Sequence, residues 1–275
     1  MALITCDFFS DALELNVTLR AILPQPTQTH THHYLEGLDL SPPHPTLYLL
    51  HGLGDNSSAW TRQTSIERYV WKKNLAVVMP EVHRSFYADM VMGNKYWTFI
   101  TEELPVAARR FFPLSDKRED NFVAGLSMGG YGAFKWALAH PDRVCAAASL
   151  SGALDRTKRM VTTDKMTAEF AHVFGSPEDY LGSDNDLLHL ATRLAAGSEP
   201  RPALFQCCGT EDFVYPENIS FQDHLKALKI DSDYREHLGE EHEWGYWDRM
   251  IQDVVEWLPL RAGAGGGVGP VGPSE

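Results

Sequence analysis

Asn121-Phe122-Val123-Ala124-Gly125-Leu126-Ser127-Met128-Gly129-Gly130 decides how this chain is read. Phe122–Leu126 is a short apolar run with the length of a buried strand. From Gly129 the pattern changes. Ala133, Trp136, Ala137 and Ala139-His140 recur at helical spacing, and Pro141 stops them. A serine therefore sits at the junction of strand and helix, flanked by Gly125 and Gly129. Such a turn is sharp, so only small residues fit beside it, and it lifts the serine hydroxyl above the end of the sheet. Ser127 is the candidate nucleophile.

The same alternation extends in both directions. Strand-like runs at Leu47–Leu50, Leu75–Met79, Val144–Leu150, Ala203–Cys207 and Ser232–Glu236 are separated by amphipathic stretches at Trp60–Trp71, Tyr96–Phe111, Pro216–Leu228 and Glu243–Leu258. Apolar strands alternating with helices predict an α/β fold, a mostly parallel sheet with helices on both faces. Two runs before this, Leu3–Phe9 and Leu15–Leu23, predict an N-terminal antiparallel hairpin turning near Ser10-Asp11. Pro24–Pro45 is rich in Pro, Thr and His and reads as a surface excursion. Residues 155–200 hold short polar helical pieces and no strand, which predicts a small cap inserted over the sheet edge. The domain spans residues 1–260. The Gly/Pro-rich tail, 261–275, cannot bury enough apolar surface to order itself.

A serine hydroxyl needs a base, and the base needs an orienting acid. With the nucleophile on a strand-to-helix turn, the acid and then the histidine follow it in the chain. Cys208-Gly209-Thr210-Glu211-Asp212 follows the run Ala203–Cys207, with Asp212 at the loop tip. Glu211 is its rival, and capping of the next helix is the bland alternative for Asp212. His242 lies in a polar loop just before the final helical stretch and is favoured as base. His237, at a strand end, is the competitor. An oxyanion needs two donors. The backbone N–H of Met128 is one. Leu50-His51-Gly52-Leu53-Gly54-Asp55 supplies the other, with the N–H of Leu53 turned inward. His51 precedes Ser127 and reads as a brace for that loop. Tyr87, Tyr96 and Trp97 read first as packing aromatics and second as walls of an acyl pocket. Trp244 and Trp247 read as supports for the His242 loop.

Composition narrows the partners. The 275 residues carry 37 acidic and 24 basic side chains, a net charge of −13. Such a surface repels phosphate backbones and anionic lipid, which argues against nucleic acid and membrane. No apolar run reaches the roughly 18 residues of a membrane span, and Met1–Leu15 has no basic residue to open a signal peptide. Cys6, Cys145, Cys207 and Cys208 form no disulfide framework, so a reducing, cytoplasmic setting is expected. His30, His32 and His33 could chelate a metal but have no cysteine or carboxylate beside them. A solvated loop is the better reading, and no metal or cofactor is expected.

Taken together, these motifs resemble an α/β-hydrolase of the esterase D type. That group includes S-formylglutathione hydrolases, feruloyl-esterase-like domains, mycolyltransferases and bacterial tributyrin esterases. The resemblance is strongest to the tributyrin and acetylesterase-like branch. It rests on Arg84–Met90, Tyr96–Pro105, Gly125–Gly132, Ser149-Leu150-Ser151-Gly152, Cys208–Phe213 and His242-Glu243-Trp244, and it covers about residues 1–260. It implies the α/β-hydrolase fold, a Ser127–His242–Asp212 triad, a small-molecule acyl ester as substrate and a tendency to form homo-oligomers. The long Pro24–Pro45 segment departs from the family. The His-led oxyanion loop departs from S-formylglutathione hydrolases and weakens a glutathione-thioester reading. Three functions compete: a short-chain serine carboxylesterase, a thioesterase or acyltransferase using the same triad, and a catalytically silent binding protein on this scaffold.

Overall fold

The computed structural model describes residues 1–25, 41–71, 73–160 and 165–260. Strands β1 (Ala2–Ser10) and β2 (Leu15–Leu23) form the expected hairpin, with Ala2 opposite Leu23 and Ser10 opposite Leu15. Six further strands follow: β3 (Thr46–Leu50), β4 (Ala76–Pro80), β5 (Asn121–Leu126), β6 (Ala146–Leu150), β7 (Ala203–Gly209) and β8 (Asp233–His237). The sheet runs in the order β1-β2-β4-β3-β5-β6-β7-β8. β2 meets β4 antiparallel, and β4 through β8 are parallel.

This order places the site. The chain leaves β3 toward β4 on one side and later returns as β5 on the other. The loops after β3 and β5 therefore flank a crevice at the carboxyl ends of the strands, where open α/β sheets bind ligands. β7 and β8 pair side by side up to Gly209 and His237, so the loops that follow them emerge together at the same end.

β3 is buried along its whole length because both its faces are covered. The helices are α1 (Ala59–Gln63), α2 (Ile66–Val70), α3 (Tyr96–Thr98), α4 (Leu104–Phe111), α5 (Met128–Ala139), α6 (Thr157–Met160), α7 (Lys165–Phe174), α8 (Pro177–Tyr180), α9 (Leu187–Ala196), α10 (Tyr215–Ala227) and α11 (Trp244–Trp257). Tyr48 and Leu50 pack with Val123, Phe134 of α5 and Phe221 of α10. Leu47 and Leu49 point to the other face, toward Trp60, Ile66 and Ile251. The Trp60–Trp71 stretch breaks into α1 and α2 because Ser65 N–H donates to Asp248 Oδ1 of α11 at 3.2 Å instead of continuing one helix. Tyr96–Phe111 is continuous but includes a π-helical turn at Phe99–Glu103.

α5 is buried on nearly every side, from Met128 through Leu138. A helix buried all round is covered on both flanks. Here the sheet lies under it and the insertion after β6 lies over it, with α9 packed on both α5 and α10. The insertion, expected as a cap over the sheet edge, places α9 against the helix that follows Ser127. Its apolar residues join the main core. Phe170, Val173 and Phe174 of α7 and Leu187, Leu190, Ala191 and Leu194 of α9 are all buried in the main core. Burial of one side chain such as Phe170 contributes about 1.5–3 kcal/mol. The expected disordered tail at 261–275 and the histidines at 30, 32 and 33 lie outside the described residues.

Candidate active site

Ser127 begins the turn from β5 into α5 with φ +52° and ψ −116°, a conformation costly for a residue with a side chain. The turn is closed by its neighbours. A Cβ on Gly125 would lie 2.4 Å from the Gly129 backbone, and one on Gly129 would lie 2.4 Å from the Leu50 carbonyl. Only glycine lets β5, α5 and β3 approach so closely. Ser127 N–H donates to the Leu150 carbonyl at 2.9 Å, which anchors the turn to β6.

The three sequence candidates meet here. His242 Nε2 lies 3.0 Å from Ser127 Oγ. The other ring nitrogen, Nδ1, lies 2.9 and 2.8 Å from the two carboxylate oxygens of Asp212. Carboxylate oxygens facing Nδ1 make that nitrogen the donor and leave Nε2 free to accept from the serine hydroxyl. The Asp212 carboxylate is fully buried, whereas the His242 side chain is 18% exposed. Asp212 also accepts from Val214 N–H at 2.9 Å, so it caps the next turn while it faces the histidine. Glu211 is exposed. His237 is occupied elsewhere, with Nδ1 2.9 Å from the Tyr246 hydroxyl.

The imidazole is held between two aromatic rings. Phe213 lies 4.4 Å from His242, and the edge of Trp247 meets it at 4.8 Å. Trp247 Nε1–H donates to Ser151 Oγ at 3.1 Å, and Trp244 packs on both Trp247 and Trp60. The expected support role of these tryptophans follows. Ser151 is thereby engaged as an acceptor away from His242. The Cys208 thiol beside this network is pushed up by burial and then by the Asp212 charge, so it stays protonated.

His51 braces the loop after β3. Its Nδ1–H donates to the Gly52 carbonyl at 2.8 Å, and Nε2 accepts from Val82 N–H at 3.1 Å. Burial lowers its basicity, opposed by the Gly52 carbonyl and by Glu81 and Asp55. Tyr87 completes the brace, with its hydroxyl donating to the His51 carbonyl at 2.9 Å. Leu53 and Ser127 line one cavity of about 220 Å³ with Phe86, Ala153, Arg156, Phe170, Phe213 and Val214. Met128 opens α5, where a first-turn N–H has no partner within the helix. Leu53 therefore shares this cavity with Ser127, and Met128 follows Ser127 directly at the start of α5.

Sequence reasoning did not find the rest of this cavity. Of the aromatics before the elbow, Phe86 lines it; Tyr87, Tyr96 and Trp97 pack elsewhere. Tyr96 meets His83, and Trp97 lies against Lys135 and His140. Phe86 and Phe170 are 5.1 Å apart and come from distant segments. The helical spacing of Phe170, Val173 and Phe174 was the one available signal that α7 has a buried face. Among the described residues, no cluster of three His, Cys, Asp or Glu side chains is arranged to hold a metal. A wider groove of about 520 Å³ near Met1, Leu3 and Trp71 has no histidine or cysteine among its described lining residues.

The family model for Esterase matches residues 12–258. The chain belongs to the Esterase family. An acetyl esterase of Caldicellulosiruptor saccharolyticus is 33% identical over 94% of this chain and 98% of that protein. The substrate-bound structure of FphF, a fluorophosphonate-binding serine hydrolase of Staphylococcus aureus, superposes with a TM-score of 0.83. It is 32% identical over 94% of this chain and 98% of its own. An apoenzyme structure described as S-formylglutathione hydrolase (FrmB), also from Staphylococcus aureus, has a TM-score of 0.79 and 33% identity over the same shares. This esterase is thus a serine hydrolase of the α/β-hydrolase fold that acts on ester bonds. No described helix is long and apolar enough to cross a membrane.

Proposed function

We propose that this esterase hydrolyses short-chain acyl esters through a covalent acyl-enzyme on Ser127. The observation that carries the reading is the contact of His242 Nε2 with Ser127 Oγ at 3.0 Å while a buried Asp212 holds Nδ1. In this mechanism the Ser127 oxygen attacks the ester carbonyl as His242 takes its proton. The carbonyl oxygen becomes an oxyanion and is held by the N–H groups of Leu53 and Met128. The imidazolium, steadied by Asp212, returns its proton to the leaving alcohol. Water then attacks the acyl-enzyme as His242 takes its proton, and His242 passes that proton to the Ser127 oxygen as the carboxylic acid leaves.

The short-chain preference is supported by the size of the cavity, about 220 Å³, and by the name of the acetyl esterase relative. Ligand sites for drug-sized molecules span about 300–1,000 Å³. Thioester hydrolysis is the second reading, favoured by the likeness to the S-formylglutathione hydrolase structure. A cytoplasmic location is part of the proposal and rests on four cysteines, none of them paired.

The test is kcat/KM for p-nitrophenyl acetate, butyrate, octanoate and palmitate, with an S-acyl thioester of the preferred length alongside. The expected maximum is at acetate or butyrate, with the oxygen ester preferred. A maximum at octanoate or beyond contradicts the short-chain reading. A thioester preference of tenfold or more replaces it with the second.

A further inference from the structure

The described residues that line the cavity beside Ser127 are mostly apolar: Leu53, Phe86, Ala153, Phe170, Phe213 and Val214. Among the described residues that line it, Arg156 is the only ionisable one other than the nucleophile itself. It lies on the loop between β6 and α6, and its side chain is 6% exposed. Its guanidinium is ion-paired with Glu217, a carboxylate only 12% exposed in the first turn of α10.

The backbone around Arg156 is fixed from three directions. Asp155 Oδ2 accepts from Ser220 Oγ of α10 at 2.6 Å, and Asp155 Oδ1 accepts from Thr157 N–H at 3.1 Å. The Tyr180 hydroxyl oxygen is hydrogen-bonded to the Arg156 backbone. The arginine cannot swing away without breaking a buried ion pair, and breaking such a pair strands one charge out of water.

We infer that the Arg156–Glu217 pair sets the acyl specificity of the site. The inference rests on the esterase reading above. A chain of methylenes reaching this wall meets a charged pair that offers it no apolar contact, so added length brings no gain. An acyl group ending in a carboxylate also gains nothing. Glu217 already neutralises the guanidinium and repels a second anion. The pair therefore favours short, uncharged acyl groups and rejects both longer chains and the half-esters of dicarboxylic acids.

Two variants separate the two halves of this claim. In Arg156→Leu/Glu217→Leu the buried pair is replaced by apolar side chains, a change proteins often tolerate without loss of stability. The kcat/KM ratio of p-nitrophenyl octanoate to butyrate should rise at least tenfold. Glu217→Gln keeps the shape and unmasks the guanidinium. The ratio of the p-nitrophenyl half-ester of glutaric acid to the butyrate ester should rise at least tenfold. Both are ratios within one protein, so a general loss of activity does not imitate them. If the double variant does not fold, the nearly isosteric Glu217→Gln decides alone. A wild-type enzyme that cleaves none of these esters overturns the esterase reading and this inference with it. An active wild type whose ratio stays within threefold in either variant overturns this inference alone.

Discussion

Ser127 is positioned by its immediate neighbours in the chain, whereas the wall facing it is gathered from residues far apart. The elbow is β5, one serine and α5, with Gly125 and Gly129 clearing the path. The wall is Phe86 from one loop, Arg156 and Phe170 from the insertion, and Phe213 from the loop after β7. The first region imposes backbone constraints, and backbone constraints leave a dense local signature. The second imposes only shape and charge, which many residue combinations can meet. In this enzyme the elbow is written locally and the cavity wall is gathered at long range.

The largest effect that probes this contrast is expected on the chemical side. Asp212→Asn should lower kcat by about 10⁴-fold with little change in KM, because the imidazole loses the acceptor that fixes its tautomer and stabilises its charge. Glu211→Gln should stay within threefold of wild type. Reversal of the two would move the acid by one residue and detach Asp212 from the geometry described above.

A smaller effect concerns the stitch between the two regions. Lys135 of α5 is buried, and its Nζ donates to the Tyr87 carbonyl at 2.9 Å and to Asn185 Oδ1 of the insertion at 2.7 Å. Burial pushes its ammonium down to about 7, against the opposing charges of Asp89 and Asp184. An unfolded lysine titrates at about 10.4. Between about pH 7 and pH 10 the unfolded chain holds a proton that the native protein has released, so native stability rises with pH in that window. Below it both states are protonated and this contribution stops changing. Lys135→Met lacks the effect. Its stability relative to wild type should fall by up to about 1.4 kcal/mol per pH unit across the window. Urea unfolding of both proteins at pH 7, 8 and 9 measures this. A constant difference would mean that the amine stays charged against the Trp97 ring, 4.1 Å away.

The same contrast explains what was legible in the sequence. Parallel strands buried on both faces stand out as apolar runs, so β3 through β7 were found within a few residues. Chain order and loop position pointed to Asp212 and His242, and the fold brings these two side chains together with Ser127 because the loops after β7 and β8 emerge side by side. The insertion was harder. Its helices are short, and Phe170 and Phe174 acquire meaning only against Phe86 and Tyr131, which lie elsewhere in the chain. Arg156 gave no signal at all, because an isolated arginine in a polar stretch looks solvent-facing until Glu217 is brought to it. The break between α1 and α2 was hidden for a similar reason: Asp248, which supplies the competing hydrogen bond, belongs to the last helix.

The central claim is that one activated serine, Ser127, carries the acyl group. Fluorophosphonate labelling followed by peptide mapping tests it most directly, because an unactivated serine hydroxyl does not react. The adduct should form on one residue, Ser127, and should disappear in Ser127→Ala while the variant keeps the wild-type melting temperature. An adduct on Ser151, or undiminished labelling of Ser127→Ala, would contradict the account.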